Sequence, residues 1–197
     1  MLELRVEYPI MDPSLLKIRL FSFPVASAAI LFASLFTLVF LMPFYLVNPM
    51  GLSIDKAGYI MVIPFVCLFF VSPLSGALSD RIGSRWLCTV GMAVLATSLF
   101  FLSGLPASSS YFSVAWRLVL AGVGTSVFLP PNNNIIMSSL PAARRGTASG
   151  TVATARNIGM VIGVAQAGLI FNLVFRMESG GRVLKIYAKE LEPYFMS

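Results

Sequence analysis

Three short stretches carry most of the polar chemistry of this chain. PPNNN (Pro130–Asn134) sets three amides beside two prolines. A proline has no N–H to close a helical hydrogen bond, so nearby carbonyls are left to find other donors. ARNIG (Ala155–Gly159) places a permanent cation, Arg156, and an amide, Asn157, in an otherwise apolar run. SGALSDRIGSR (Ser75–Arg85) places one acid, Asp80, beside Arg81 and Arg85 between two apolar runs. Such groups form ion pairs and hydrogen bonds. They do not supply a nucleophile with its base, nor a cluster of metal ligands. The chain has no histidine, which excludes imidazole bases and histidine metal sites. Cys67 and Cys88 both fall within apolar runs and read as small hydrophobes. We therefore expect no enzyme activity, no metal and no cofactor.

Composition decides what kind of fold holds these groups. Of 197 residues, 57 % are hydrophobic and 11 % charged, with mean hydropathy +0.86. A soluble domain carries about 25 % charged residues, so this chain reads as a membrane protein. Its net charge of +6 fits cytoplasmic loops better than nucleic-acid binding. A spanning helix needs about 20 apolar residues. The sequence offers five such spans, Phe21–Val47, Ala57–Leu78, Trp86–Leu105, Phe112–Ser138 and Thr147–Phe175. The expected fold class is all-α, a polytopic bundle in the lipid bilayer.

The flanks and loops give an orientation. Residues 1–20 read as a cytoplasmic linker with an interfacial helix, with Asp12 as its cap and Pro13 at its first position. The start, MLELRVEYPIMDP, has acids and a proline where a signal peptide needs a basic, then apolar, segment. Lys17, Arg19, Arg81, Arg85, Arg144 and Arg145 all fall on one side of the expected spans, and the short loops opposite carry only Lys56. The positive-inside rule then places the N-terminus in the cytoplasm. Residues 176–197 form an external tail, in which Val183, Ile186, Tyr187 and Leu191 repeat at helical spacing. Ser53 is the expected N-cap of the second helix.

Depth can be worked out for the polar groups. Arg156 lies about ten residues, or ~15 Å, into the fifth span. An arginine there costs ~2.5–3.5 kcal/mol on insertion scales, so it should face protein or water. Asn132 and Arg156 are equally far along the chain from the turn near Arg144. We expect them at similar depth, in one polar cluster facing a central cavity, with Asn133, Asn157 and Gln166 as further cavity candidates. Gly159 and Gly163 share the face of Arg156 at helical spacing, which suits packing against another helix. Pro130 and Pro131 are expected to break or bend the fourth span. A structural role for these groups stays open: the asparagines could satisfy carbonyls loosened by the prolines, and Arg156 could pin two helices together.

The loop stretch carries a resemblance. Gly76, Leu78, Asp80, Arg81, Gly83 and Arg85 follow the spacing of the major facilitator superfamily signature G-x-L-a-D-r-x-G-r-k. Ser79 replaces the common alanine, and Ser84 and Arg85 stand where a basic pair is usual. In that family the signature joins the second and third helices of each six-helix half, where this patch lies. The resemblance implies a conformational latch formed by Gly76, Asp80, Arg81, Gly83 and Arg85. Elsewhere, YPIMDPSLLKIRLFSF, GLSIDKAG and Pro130–Ala165 resemble the C-terminal half of fourteen-span drug/proton antiporters. The typical R-G-x-A-S-G falls at Arg145–Gly150, making Gly150 a packing candidate.

The resemblance implies five of six helices of one half. Its partners would be a small-molecule substrate, the bilayer, and the missing N-terminal half or another transporter polypeptide. Its location would be the bacterial inner membrane. All eight acids fall outside the span interiors, so a proton carrier, if the parent couples to protons, would lie in the missing half. Two other readings stay open: a metabolite or organic-anion transporter in which Arg156 pairs with the substrate, and a non-transporting truncated membrane protein or interaction subunit.

Overall fold

The computed structural model describes residues 15, 17–106 and 109–195, with side-chain surroundings through residue 173 apart from residue 143. The described residues are all-helical. In order they form α1 (Arg19–Val47), α2 (Ile54–Ile82), α3 (Ser84–Ser103), α4 (Tyr111–Ser138), a 3-10 turn (Ala142–Arg144) and α5 (Arg145–Phe195). Among the described residues, these five α-helices each hold a stretch long and apolar enough to cross a membrane, in α5 over Arg145–Leu173. The expected interfacial helix of the linker falls largely outside the described residues, and the apolar face expected in the tail lies on side chains outside them.

The helices extend past their apolar cores because their charged ends suit helix termini. α2 takes in Asp55 in its first turn and Arg81 in its last, each opposite in sign to the partial charge at that helix end. Ser53 does occupy the N-cap position of α2, but its hydroxyl makes no capping bond; its carbonyl accepts the Ala57 N–H at 3.0 Å. Gly83 ends α2 and starts α3 with φ +96°, a conformation that strains any residue with a Cβ. The hydroxyls of Ser79 and Ser84, 2.7 Å apart, close the same turn.

α4 is the most buried helix and sits between α2 and α3, touching α1 as well. Glycines set these approaches. A Cβ on Gly124 would lie 2.6 Å from the Leu95 nitrogen of α3, and one on Gly91 2.8 Å from the Gly124 carbonyl. A Cβ on Gly122 would lie 2.8 Å from Pro64 Cα of α2. Gly76 is different: a Cβ there would meet Pro130 Cβ at 3.8 Å, an ordinary contact, so close approach is not what this glycine provides.

No break occurs at Pro130–Pro131, and α4 continues as a helix past both. Pro131 deprives the Val127 carbonyl of its helical donor. Ser75 of α2 replaces it, its hydroxyl donating to that carbonyl at 2.9 Å. The Val127 carbonyl is therefore satisfied by a neighbouring helix and not by the asparagines.

α5 packs chiefly on α1. A Cβ on Gly159 would sit 2.2 Å from the Ala29 carbonyl oxygen, and one on Gly163 2.3 Å from that of Ala33. Both numbers rise together along the two helices, so α1 and α5 run parallel. Two small-xxx-small faces thus meet backbone to backbone, the packing that suits helices in lipid. One apolar core gathers Leu38, Leu46, Ile60, Leu118 and Phe128. A second gathers Leu15, Phe21, Ile136 and Val152 near the arginine-bearing end.

Candidate functional site

Arg156 and Asn133 meet across the gap between α4 and α5. Arg156 Nη2 donates to Asn133 Oδ1. The guanidinium carbon also lies 5.3 Å from the centre of the Phe32 ring of α1, within the range of a cation–π contact. Arg156 Nε is buried with no hydrogen-bond partner. Asn133 and Arg156 lie symmetrically about the turn between residues 144 and 145, so equal rise along the two antiparallel helices sets them level.

The asparagine that meets Arg156 is not the expected one. Asn132 is 1 % exposed and turns toward α1, where its Nδ2 donates to the Pro24 carbonyl at 3.2 Å. It lines a separate depression of about 350 Å³ that also holds Arg19, Ser27, Arg85 and Thr89. The reason is rotational: successive helix positions turn by about 100°, so neighbours in sequence face different helices. Asn157 is exposed.

Gln166 lies ten residues along α5 from Arg156, or about 15 Å. Its Nε2 donates to Thr37 Oγ1 at 3.1 Å. The Thr37 hydroxyl in turn faces the carbonyls of Ala33 at 2.9 Å and Gly163 at 3.1 Å, closing the α1–α5 seam. Gln166 and Thr37 line a cleft of about 480 Å³ with Ser34, Tyr45 and Leu99. Gly150 is half-buried, and its carbonyl accepts the Thr154 hydroxyl at 3.0 Å.

Beside the Arg156–Asn133 pair lies an apolar cavity of about 230 Å³ between α1, α2 and α4. Its lining includes Phe32, Phe36, Met61, Phe65 and Leu129. Phe32 is the ring under the guanidinium, and Leu129 stands one helical turn from Asn133. Phe32 thus links the cation to the apolar hollow, whose lining includes neither Arg156 nor Asn133.

At the arginine-bearing end, Asp80, Arg81, Gly83 and Arg85 are all exposed. Asp80 and Ser84 share a polar depression of about 530 Å³ with Asn134, Ser138 and Arg145. The α2–α3 turn therefore faces the α4–α5 turn. Arg117, on the opposite half of α4, donates to the Ser113 carbonyl at 2.6 Å and to the Ser113 hydroxyl, and stacks 4.7 Å from Trp116. Sequence reasoning missed Ser75, Phe32 and the Ala29/Ala33 face. Only the last had a readable signal, since Ala29-x-x-x-Ala33 repeats the spacing of Gly159-x-x-x-Gly163.

The family model of the major facilitator superfamily matches residues 10–176. The chain belongs to the major facilitator superfamily. Curated relatives agree. An uncharacterized transporter of Escherichia coli, YebQ, is 32 % identical over 170 residues, which cover 86 % of this chain and 37 % of the relative. The riboflavin transporter RibZ of Clostridioides difficile is 28 % identical over 188 residues, covering 92 % and 41 %. The multidrug resistance protein Stp of Mycobacterium tuberculosis is 32 % identical over 170 residues, covering 86 % and 31 %. This major facilitator chain thus spans between 31 % and 41 % of the length of these relatives.

Proposed function

We propose that this chain is part of a secondary transporter that exports small amphipathic drugs or metabolites by alternating access. Proton entry drives the export, and the proton is carried by residues outside this chain. The observation that carries the reading is the Arg156–Asn133 pair, a polar site set deep in a span and opening beside an apolar cavity. Such a pairing of few polar groups with an apolar wall suits small organic ligands. Membership of the superfamily and the relatives named for multidrug resistance support it. The absence of histidine and of acids from the span interiors supports a proton carrier elsewhere.

In this reading Asn132, Asn133, Arg156, Asn157 and Gln166 border the substrate path. Gly76, Asp80, Arg81, Gly83 and Arg85 form half of a latch that holds one conformation. Two halves rocking about a site near the midplane give alternating access. The end bearing Arg19, Arg85 and Arg145 faces the cytoplasm of a bacterial inner membrane, following the excess of cations there.

The test is dye accumulation in native cells with the coding locus intact or deleted. The panel holds amphipathic fluorophores of negative, neutral and positive charge. Deletion should raise accumulation of at least one dye, and a protonophore should erase the difference. Asp80→Asn at the locus should reduce export while leaving the amount of protein in the membrane unchanged. Equal accumulation of every dye with and without the locus would refute the proposal.

A further inference from the structure

We infer that Arg156, Asn133 and the neighbouring cavity form a binding site for small amphipathic anions. The carboxylate or sulfonate sits on Arg156, and the aromatic or aliphatic body lies against Phe32, Phe36 and Phe65. This deepens the transporter reading and rests on it.

Charge is the first argument. The partners of the Arg156 guanidinium are a neutral amide and an aromatic face, and its buried Nε has none. α1, α4 and the Arg145–Leu173 stretch of α5 contain no acid, and the two acids of α2, Asp55 and Asp80, sit near its ends. Asp80 lines a different depression, together with Arg145. Among the described residues, Arg156 therefore has no acid to compensate its charge. Charges taken from water are normally paired. An anionic ligand supplies the missing partner, and a guanidinium meets the two oxygens of a carboxylate in a fork.

Shape is the second argument. The cavity of about 230 Å³ is walled mainly by aromatic and aliphatic side chains, among them Phe32, the ring beneath the guanidinium. An apolar cavity of about 150 Å³ accepts benzene, so this one takes a substituted or fused ring. Arg117 also has a buried Nε without a partner and a ring beside it, but that ring, Trp116, lines none of the cavities described above, whereas Phe32 does.

The test is displacement of radiolabelled 2-naphthoate from membranes of cells expressing the chain, against membranes lacking it. Unlabelled 2-naphthoate and its neutral isostere 2-naphthamide are the competitors. Naphthoate should compete about 10-fold better, the worth of one charge-assisted hydrogen bond. Arg156→Gln should bring the two competitors within about 2-fold of each other, while Arg156→Lys, which keeps the charge but not the fork, should retain only part of the preference for the anion. Phe32→Ala, which leaves the charge in place, should weaken both competitors alike. Equal competition in the wild type overturns the inference, as does a preference that survives Arg156→Gln, or a Phe32→Ala change without effect. Dye export with no naphthoate preference removes this inference and leaves the transporter standing. Naphthoate preference with no dye export does the reverse.

Discussion

Gly163→Ala is the sharpest probe of how α5 is held. The added methyl would lie 2.3 Å from the Ala33 carbonyl oxygen, about 1 Å inside ordinary contact distance. The obstacle is backbone, which cannot rotate away, so α5 must move off α1 by roughly that amount. Overpacking of this kind costs about 1–3 kcal/mol. The shift also stretches the Thr37–Gly163 and Gln166–Thr37 hydrogen bonds, both 3.1 Å. Such bonds contribute about 0.6 kcal/mol each between membrane helices. The better helix propensity of alanine returns about 1 kcal/mol. The net loss is about 1–3 kcal/mol, which lowers the melting midpoint of a chain this size by about 3–10 °C. The assay can use the chain's own free thiols, Cys67 and Cys88, both half-buried. A maleimide dye reports their exposure as detergent-solubilised protein is heated. Gly168→Ala is the control on the same helix, because a Cβ there meets nothing within 4 Å. It should melt at or slightly above the wild type. If Gly163→Ala melts as high as Gly168→Ala, the backbone-to-backbone contact of α1 and α5 is wrong.

Two further outcomes follow from the geometry. Gly83→Ala meets no neighbour within 4 Å but is forced to keep φ +96°; the strain should cost about 1–3 kcal/mol, read as a lower midpoint in the same thiol assay, whereas Gly58→Ala, also without a neighbour within 4 Å, should not lower it. Asn133→Asp should hand Arg156 a charged partner and so reduce the preference for 2-naphthoate over 2-naphthamide to within about 2-fold, without loss of protein from the membrane.

The spans were legible because lipid imposes length and apolarity on every one of them. The α2–α3 turn was legible too, since Gly83 sits where the chain reverses and a positive φ demands it. Depth could be computed from chain distance, and the Arg156–Asn133 bond falls at the symmetric register. What could not be read was azimuth. Choosing between Asn132 and Asn133 requires knowing which helix each side of α4 faces, and a rotation of about 100° separates the two. The same ignorance hid Phe32 and Ser75, which are ordinary residues until a distant segment is placed against them. Pro130 and Pro131 misled for a related reason. A proline's effect on a helix depends on whether a neighbour supplies the lost donor, and that neighbour lies 52 residues away in sequence, from Ser75 to Val127.

The Ser75–Val127 bond also bears on biosynthesis. Segments leave the ribosome in chain order, so α2 enters the membrane before α4. When α4 arrives, the hydroxyl that its open carbonyl needs is already present in α2. In the reverse order, α4 would wait in hydrocarbon with an unsatisfied carbonyl, a state that costs several kcal/mol. The order of the helices in the gene is thus an assembly instruction, with the earlier helix acting as a template that shelters the later one's flaw.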